Sequence, residues 1–312
     1  MLQHTVQTPY MVGEVHLYSA ELDGGLALFD TGPPTPEGIA CLQKSVDLTR
    51  LKYLFITHCH VDHYGLANYL LENSPAEVFI ASTDAIKFNR HGERLDAIAA
   101  ILRGYGFSSD FVSQLRESFQ KNKIFPVMPE RYHLVEESAV PEQLGIGWFS
   151  CPGHSQSDLV YTCGDFAITG DILLKGIFQA PLLDINLSTF EGRFRNYDAY
   201  CASLLKLARL RGLQIMPGHR HTVESVDDAI LFYVNTLLER SLQLFPLRHL
   251  PMTGIVDRLF QGRLTEPFFV YLKLSEIVFM LDFIENPGLL KASLEQIGLF
   301  TFVSERYAAV AQ

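Results

Sequence analysis

One stretch of the sequence is dense in metal-binding side chains: Thr57-His58-Cys59-His60-Val61-Asp62-His63-Tyr64-Gly65. Imidazole and carboxylate suit borderline metals such as zinc, iron or manganese, and the scarcity of thiolates nearby argues against a sulfur-rich structural site. His58 and His60 sit two apart, as two ligands leaning into one site from an extended segment would. Asp62 and His63 follow where the chain turns over, so they can face a second point close by. A lone His is more often a solvated or core residue, but three His and an Asp after a buried strand predict a reactive metal centre.

Three later turns supply further ligands in a workable order. Cys151-Pro152-Gly153-His154-Ser155 is a Pro-Gly turn carrying a His, and Thr169-Gly170-Asp171 places a carboxylate after the apolar run Phe166-Ala167-Ile168. Met216-Pro217-Gly218-His219 is a second Pro-Gly-His turn, following a strand predicted from Leu213. The candidate ligands are therefore His58, His60, Asp62, His63, His154, Asp171 and His219, each just past a predicted strand, where loops at one sheet edge converge. His4 and His16 lie outside any motif and are expected to be surface or satisfied core residues.

The order HxHxDH, PGHS, GD, PGH resembles the metallo-β-lactamase superfamily, particularly its glyoxalase II-like hydrolases, and Phe29-Asp30-Thr31-Gly32 resembles that family's strand-ending turn. The likeness covers about the first 220 residues and is specific for fold and metal site, much less so for substrate. It implies an α/β fold, a four-layer αβ/βα sandwich, with a site for two divalent ions (Zn, Fe or Mn). By the same resemblance His58, His60 and His154 hold one metal, Asp62, His63 and His219 the other, and Asp171 bridges them.

The elements that must position these residues follow from periodicity. Short apolar segments at Tyr10–Val12, Val15–Ala20 and Leu26–Asp30, with a turn at Asp23-Gly24-Gly25, predict an opening antiparallel pair. A helix from Thr35 to Ser45, the strand Leu51–Ile56, a helix from Leu66 and the strand Glu77–Ala81 continue an α/β layer. Between about 82 and 126 three helices come in succession, an insertion longer than a plain connection needs, and Tyr105 and Phe107 within it are candidate substrate contacts. Tyr132–Glu136 and Gly147–Cys151 are expected strands, and a hairpin around Cys163-Gly164-Asp165 aims Asp171. Lys175 and His221 are further candidate substrate contacts.

Residues 1–224 thus form the expected metal-binding domain, and 225–312 a helical C-terminal extension that caps the site or forms a homodimer surface. Pro267 to Glu285 is apolar nearly all round and must be buried on several sides. Leu299–Val303 is expected to be a final strand.

Composition narrows the function. With 312 residues and 48% hydrophobic content a sizeable core is available. A net charge of −10 gives no electrostatic reason to bind nucleic acid, and Arg193, Arg195, Lys206, Arg209 and Arg211 are expected on a solvated face. Five Cys without paired spacings, no secretory signal and no run of membrane-spanning length predict a cytoplasmic protein with neither membrane nor nucleic acid as partner.

A metal lowers the pKa of water from about 15.7 to around 7, which supplies a nucleophile without Ser or Cys. The expected activity is therefore a metal-dependent hydrolase, using a metal-bridging hydroxide to cleave a thioester or related acyl ester or lactone, with Asp62 and Asp171 as catalytic carboxylates. No cationic clamp for the carboxylates of glutathione is evident in the sequence. Two alternatives share the resemblance: a mononuclear iron persulfide dioxygenase, and a regulatory binding protein with weak thioesterase activity, similar to quinolone-signal response proteins. A β-lactamase fits the expected compartment less well.

Overall fold

The computed structural model describes residues 1–10, 12–121, 127–179, 181–263 and 266–311. The first half runs β1 (Leu2–Gln7), β2 (Glu14–Leu22), β3 (Gly25–Phe29), α1 (Pro36–Ser45), β4 (Leu51–Phe55), α2 (Val61–Tyr64), α3 (Ala67–Asn73) and β5 (Glu77–Ile80). Next come α4 (Ser82–Asn89), α5 (His91–Gly104), α6 (Ser109–Lys121), β6 (His133–Leu134) and α7 (Val140–Gln143). The second half runs β7 (Ile146–Ser150), β8 (Leu159–Cys163), β9 (Phe166–Gly170), α8 (Asn196–Leu207) and β10 (Gln214–Pro217). Five helices follow: α9 (Val226–Leu244), α10 (Met252–Phe260), α11 (Pro267–Glu285), α12 (Pro287–Gln296) and α13 (Ser304–Val310).

The strands make a six-stranded sheet in the order β1-β2-β3-β4-β5-β6 and a four-stranded sheet in the order β10-β9-β8-β7. β1, β2 and β3 pair antiparallel, whereas β3 to β6 are parallel. In the second sheet β10 and β9 are parallel and the other pairs antiparallel.

Because successive strand residues face opposite sides, each central strand feeds two cores. Leu26 and Leu28, Leu51 and Leu54, and Val78 and Ile80 face α1 and α3, joining Leu42 and Leu70. Their neighbours Ala27, Phe29, Phe55 and Phe79 meet Leu159, Tyr161 and Ile168 of the second sheet. Ring centroids there stand 5.5 Å apart for Phe29 and Phe55, 4.9 Å for Phe55 and Phe79, and 5.6 Å for Phe55 and Tyr161. Val160, Ala167 and Ile215, on the far side of that sheet, share a third core with α5, α6, α8 and the helices from α9 onward. Helices, sheet, sheet and helices make the four layers. Among the described residues no helix is long and apolar enough to cross a membrane.

Local signals explain several boundaries. Thr35 caps α1 by accepting from Gly38 N, and Ser225 caps α9 by accepting from Asp228 N. Pro267 opens α11 with the Glu266 carboxylate accepting from Phe269 N. α11 buries Leu274, Ile277, Val278, Phe279 and Phe283, in accord with its all-round apolar sequence.

Three expectations are corrected. Leu299–Val303 is not a strand: Phe300–Phe302 form a 3-10 turn after Gly298 (φ +78), and Leu299 and Val303 pack into the helical core. A five-residue apolar run fits either conformation, and α13 follows it. The opening sheet begins earlier than expected, at Leu2, where β1 buries only His4 and Val6. Tyr10 and Val12 lie in the turn after it, and Met11 is outside the described residues. The predicted strand Tyr132–Glu136 shrinks to His133–Leu134 before a 3-10 turn, Val135–Glu137. The insertion expected over 82–126 is helical as far as Lys121; residues 122–126 lie outside the described residues.

Candidate metal centre

Every candidate ligand sits beyond the end of a strand. His58 and His60 follow β4, Asp62 and His63 lie on α2, His154 follows β7, Asp171 follows β9 and His219 follows β10. The two sheets are tied together just beneath. Leu159 N donates to Thr57 O at 2.8 Å, Tyr161 Oη to Ile56 O at 2.9 Å, and Tyr18 Oη to Pro217 O at 2.6 Å.

The seven residues form three overlapping groups: His58, His60 and His154; His58, His63 and Asp171; and Asp62, His63 and His219. Within each group the ligand atoms lie within 4.8 Å of one another. His60 Nδ1 stands 3.0 Å from His58 Nε2 and 3.0 Å from His154 Nε2. One ring nitrogen cannot serve both neighbours with a single proton. A tetrahedral ion with Zn–N bonds of about 2.0–2.1 Å spaces its ligands at about 3.3 Å, close to what is seen. Asp171 reaches both halves, with His63 Nε2 at 3.4 Å, His219 Nε2 at 3.3 Å and His154 Nε2 at 3.7 Å.

The outward nitrogens are fixed by the protein, leaving the inward ones free. His63 Nδ1 donates to Asp30 Oδ2 at 2.8 Å, and His219 Nδ1 to Glu14 O at 2.7 Å. His58 Nδ1 meets Thr57 Oγ1 at 3.1 Å, and that hydroxyl donates in turn to Asp30. These partners select the tautomer that turns Nε2 toward the site. His63 Nε2, His219 Nε2 and Asp171 Oδ1 are buried without a hydrogen-bond partner, which is rare for polar atoms and fits a cation at the point they share. The residues present therefore fit divalent metal.

Charge follows the same division. Burial, aided by the neighbouring imidazoles, holds His58 and His60 well below the usual histidine range, so both are neutral. Burial opposes charge on His63 and His219 too, but Asp171, with Asp30 and Asp62, raises His63 well above its usual value, and Asp171 and Asp62 raise His219 to about 10. Against burial, the same histidines hold Asp62 and Asp171 low. Cys59 points into the apolar core on α1 and α3, and burial pushes its thiol up well above the usual range. It packs as a small apolar residue.

Two glycines allow the close approach. Gly170 adopts φ +50, and Gly218 N donates to Gly170 O at 2.7 Å. A Cβ on Gly218 would stand 2.5 Å from Asp171 Oδ1 and 2.7 Å from His63 Cε1. Gly218→Ala is therefore expected to weaken metal binding by about 10- to 100-fold, by displacing two ligands at once. Chelator competition reads this, and an affinity equal to wild type would show that the two turns can separate freely.

Some supporting residues have no sequence signature. Asp84, in the first turn of α4, accepts from Cys59 N at 3.0 Å, Ser157 Oγ at 2.7 Å and Lys87 Nζ at 2.6 Å, joining the His58–His60 turn to the loop after His154. His16 is buried, with Nε2 on Arg220 O at 2.6 Å and Nδ1 near Thr5 Oγ1 at 3.0 Å. His4 is likewise satisfied, by Ser19 Oγ at 2.8 Å.

The ligands open into a cavity of 1380 Å³ lined by His60, Asp62, His154, Asp171 and His219 on one side. Gln114 and Ser118 of α6, Arg240 of α9, and Phe268, Leu272 and Glu276 of α11 line the other. The four expected substrate contacts are not among its lining residues. Tyr105 lies against the Arg193–Asp282 ion pair, and Phe107 stacks on Phe111 at 4.6 Å, because Gly106 (φ +89) turns this corner toward α10. Lys175 Nζ is held by Glu224 at 2.6 Å, and His221 is exposed on the surface. The insertion reaches the cavity through α6 instead. Most of the expected basic face is neutralised or capped: Arg193 and Arg195 by Asp282, Arg211 by Asp227, and Lys206 by Ser150 O.

A fold of this layering with this ligand order defines a class, and the chain belongs to it: the family model described as Metallo-beta-lactamase superfamily matches residues 12–219. Members of this superfamily are mostly metal-dependent hydrolases and bind divalent metals. Among solved structures the chain is similar to a metallo-beta-lactamase family protein from Thermus thermophilus, at 20% identity over 92% of this chain and 93% of that one, with a TM-score of 0.70. It is similar as well to a Beta-lactamase domain protein from Burkholderia ambifaria, at 19% identity over 92% and 87%, with a TM-score of 0.71. The first 224 residues alone cannot reach 92% coverage, so the likeness in fold takes in C-terminal helices. No curated protein matches the sequence.

Proposed function

We propose that the chain is a dinuclear metallohydrolase acting on a thioester or a related acyl ester or lactone. The observation that carries this is the convergence of seven ligand-type side chains, five of which line one wall of a cavity whose opposite, helical wall sets the apolar Phe268, Phe269 and Leu272 among polar side chains such as Gln114, Ser118 and Glu276. At 1380 Å³ the cavity exceeds the roughly 300–1,000 Å³ of common small-molecule sites, which suits an extended acyl substrate. His58, His60 and His154 would hold one ion, Asp62, His63 and His219 the other, with Asp171 between them. Metal there supplies Lewis acidity toward the acyl oxygen and acidifies water from about 15.7 to about 7.

The chain's own residues do the rest. Asp62 Oδ2, 3.3 Å from His219 Nε2, is placed to orient the attacking water and accept its proton. Asp30, Thr57 and the Glu14 carbonyl keep three imidazoles aimed inward throughout. Phe268, Leu272 and Phe178 give the acyl part an apolar surface and exclude water from the scissile bond. Within residues 225–312, α9 and α11 act here as a cap over the ligands. Five free cysteines support a reducing compartment.

The test is elemental analysis of chain purified without chelator, paired with thioester hydrolysis before and after metal removal. About two ions per chain and chelator-sensitive hydrolysis are expected. One iron with oxygen consumption and no hydrolysis would replace this reading with persulfide oxidation, and bound metal with neither activity would replace it with a regulatory role.

A further inference from the structure

Among the described residues five cationic side chains line the cavity: Lys87, Arg94, Arg220, Arg240 and Lys273. Four have a carboxylate partner: Lys87 pairs with Asp84 at 2.6 Å and Arg94 with Asp184 at 2.9 Å, while Arg240 and Lys273 share Glu276. Among the described residues Arg220 is the one lining cation whose side chain has no carboxylate partner. It directly follows the candidate ligand His219.

The backbone at this position is equally distinct. Arg220 adopts φ 63, a left-handed conformation that a side-chain-bearing residue keeps only where its surroundings over-determine it. Those surroundings are visible. His16 Nε2 donates to Arg220 O at 2.6 Å, His16 N donates to Gly218 O at 2.7 Å, and Val15 forms an antiparallel bridge with His219. The His16 ring is itself held by Thr5 Oγ1 at 3.0 Å and Gln3 Nε2 at 3.1 Å. Strand β2 thus fixes the direction in which Arg220 leaves the ligand turn; the residue is exposed at the cavity rim, its guanidinium beside Gly13 and without a carboxylate partner among the described residues. A planar fork of N–H donors matches a carboxylate or phosphate.

We propose that Arg220 binds an anionic oxygen group of the substrate, a carboxylate or phosphate, and makes the site selective for charged thioesters over neutral ones. This rests on the hydrolase reading above. The anion belongs either to the acyl part or to the thiol part, and the test separates the two.

Metal-replete full-length wild type, Arg220→Gln and Arg220→Lys are assayed with S-acetyl-N-acetylcysteamine, S-succinyl-N-acetylcysteamine and acetyl-coenzyme A. Wild type is expected to favour one charged thioester by about tenfold or more in kcat/KM, the size of one charge-assisted contact. Arg220→Gln should lose that preference through KM, and Arg220→Lys should keep part of it. Preference for the succinyl thioester places the anion on the acyl side, and preference for acetyl-coenzyme A places it on the thiol side. A charged-to-neutral ratio equal in wild type and Arg220→Gln overturns the proposal. If wild type hydrolyses none of the three, the hydrolase reading fails and Arg220 is judged by calorimetric titration with succinate and the neutral succinamide. A succinate-to-succinamide affinity ratio that falls about tenfold in Arg220→Gln supports the anion site, and an unchanged ratio overturns it.

Discussion

Asp171→Ala is expected to leave a folded chain that binds metal weakly and hydrolyses thioesters about a thousandfold more slowly than wild type. Among the described residues Asp171 is the one carboxylate within 4 Å of imidazoles from both halves of the centre: His154 on one side, His63 and His219 on the other. Removing one partner of a buried, charge-paired group costs about 3–5 kcal/mol, and each 1.36 kcal/mol at the transition state is about tenfold in rate. Asp171→Asn keeps the volume but brings an amide donor against nitrogens that must stay free, so it should be nearly as damaging. Activity within tenfold of wild type for either variant, at full metal content, would remove Asp171 from the centre.

The same carboxylate predicts a proton balance. In the metal-free chain His219 is raised to about 10: burial lowers it, and Asp171 and Asp62 more than reverse that. A folded value above the unfolded one of 6.5 means this group stabilises the metal-free fold fully below about pH 6.5, a contribution lost as pH rises through about 10. Metal must displace that proton, so binding should release protons at neutral pH and tighten as pH rises. Calorimetry in two buffers of different ionisation enthalpy reads the release, which should be smaller in Asp171→Ala. Equal release in the two proteins would mean that His219 is neutral before metal arrives.

What is legible in the sequence is local. His58, His60, Asp62 and His63 are spaced within one turn, and each remaining ligand is announced by a Pro-Gly-His or Gly-Asp turn after an apolar strand, so neighbours in sequence suffice to find them. The alternation in β3, β4 and β5 likewise encodes two cores. The opposite wall of the cavity is built otherwise. Ser118 meets Glu266 across 148 residues, and His16 meets Arg220 across 204, so no window of sequence contains either pair. Tyr105 and Phe107 stand out as aromatics near glycines, but the turn at Gly106 carries them toward α10 while α6 presents Gln114 and Ser118. Leu299–Val303 misleads because a short apolar run has no period of its own, and β1 escapes notice because it alternates weakly and lies at the sheet edge.

Asp30 shows how far the centre depends on a residue that touches none of the expected metal positions. It is buried at the end of β3, and its carboxylate accepts from Thr57 N at 2.8 Å, from Thr57 Oγ1 and from His63 Nδ1 at 2.8 Å. Its φ of 61 is left-handed, which Asp and Asn tolerate better than Ala. Asp30→Ala therefore strands three buried donors, at about 1–3 kcal/mol each, and places Ala in a conformation costing about 1–2 kcal/mol, for a combined loss of at least about 4 kcal/mol in stability. Asp30→Asn tolerates the backbone, but its one carbonyl oxygen cannot serve all three donors, so a smaller loss is expected. In both variants His63 loses the acceptor that fixes its tautomer, and metal affinity should fall about 10- to 100-fold. The order wild type, Asp30→Asn, Asp30→Ala should appear in both denaturant midpoint and chelator competition. If the stability order appears while metal affinity stays constant, Asp30 only braces the strand end, and the aim of His63 must come from the backbone of α2.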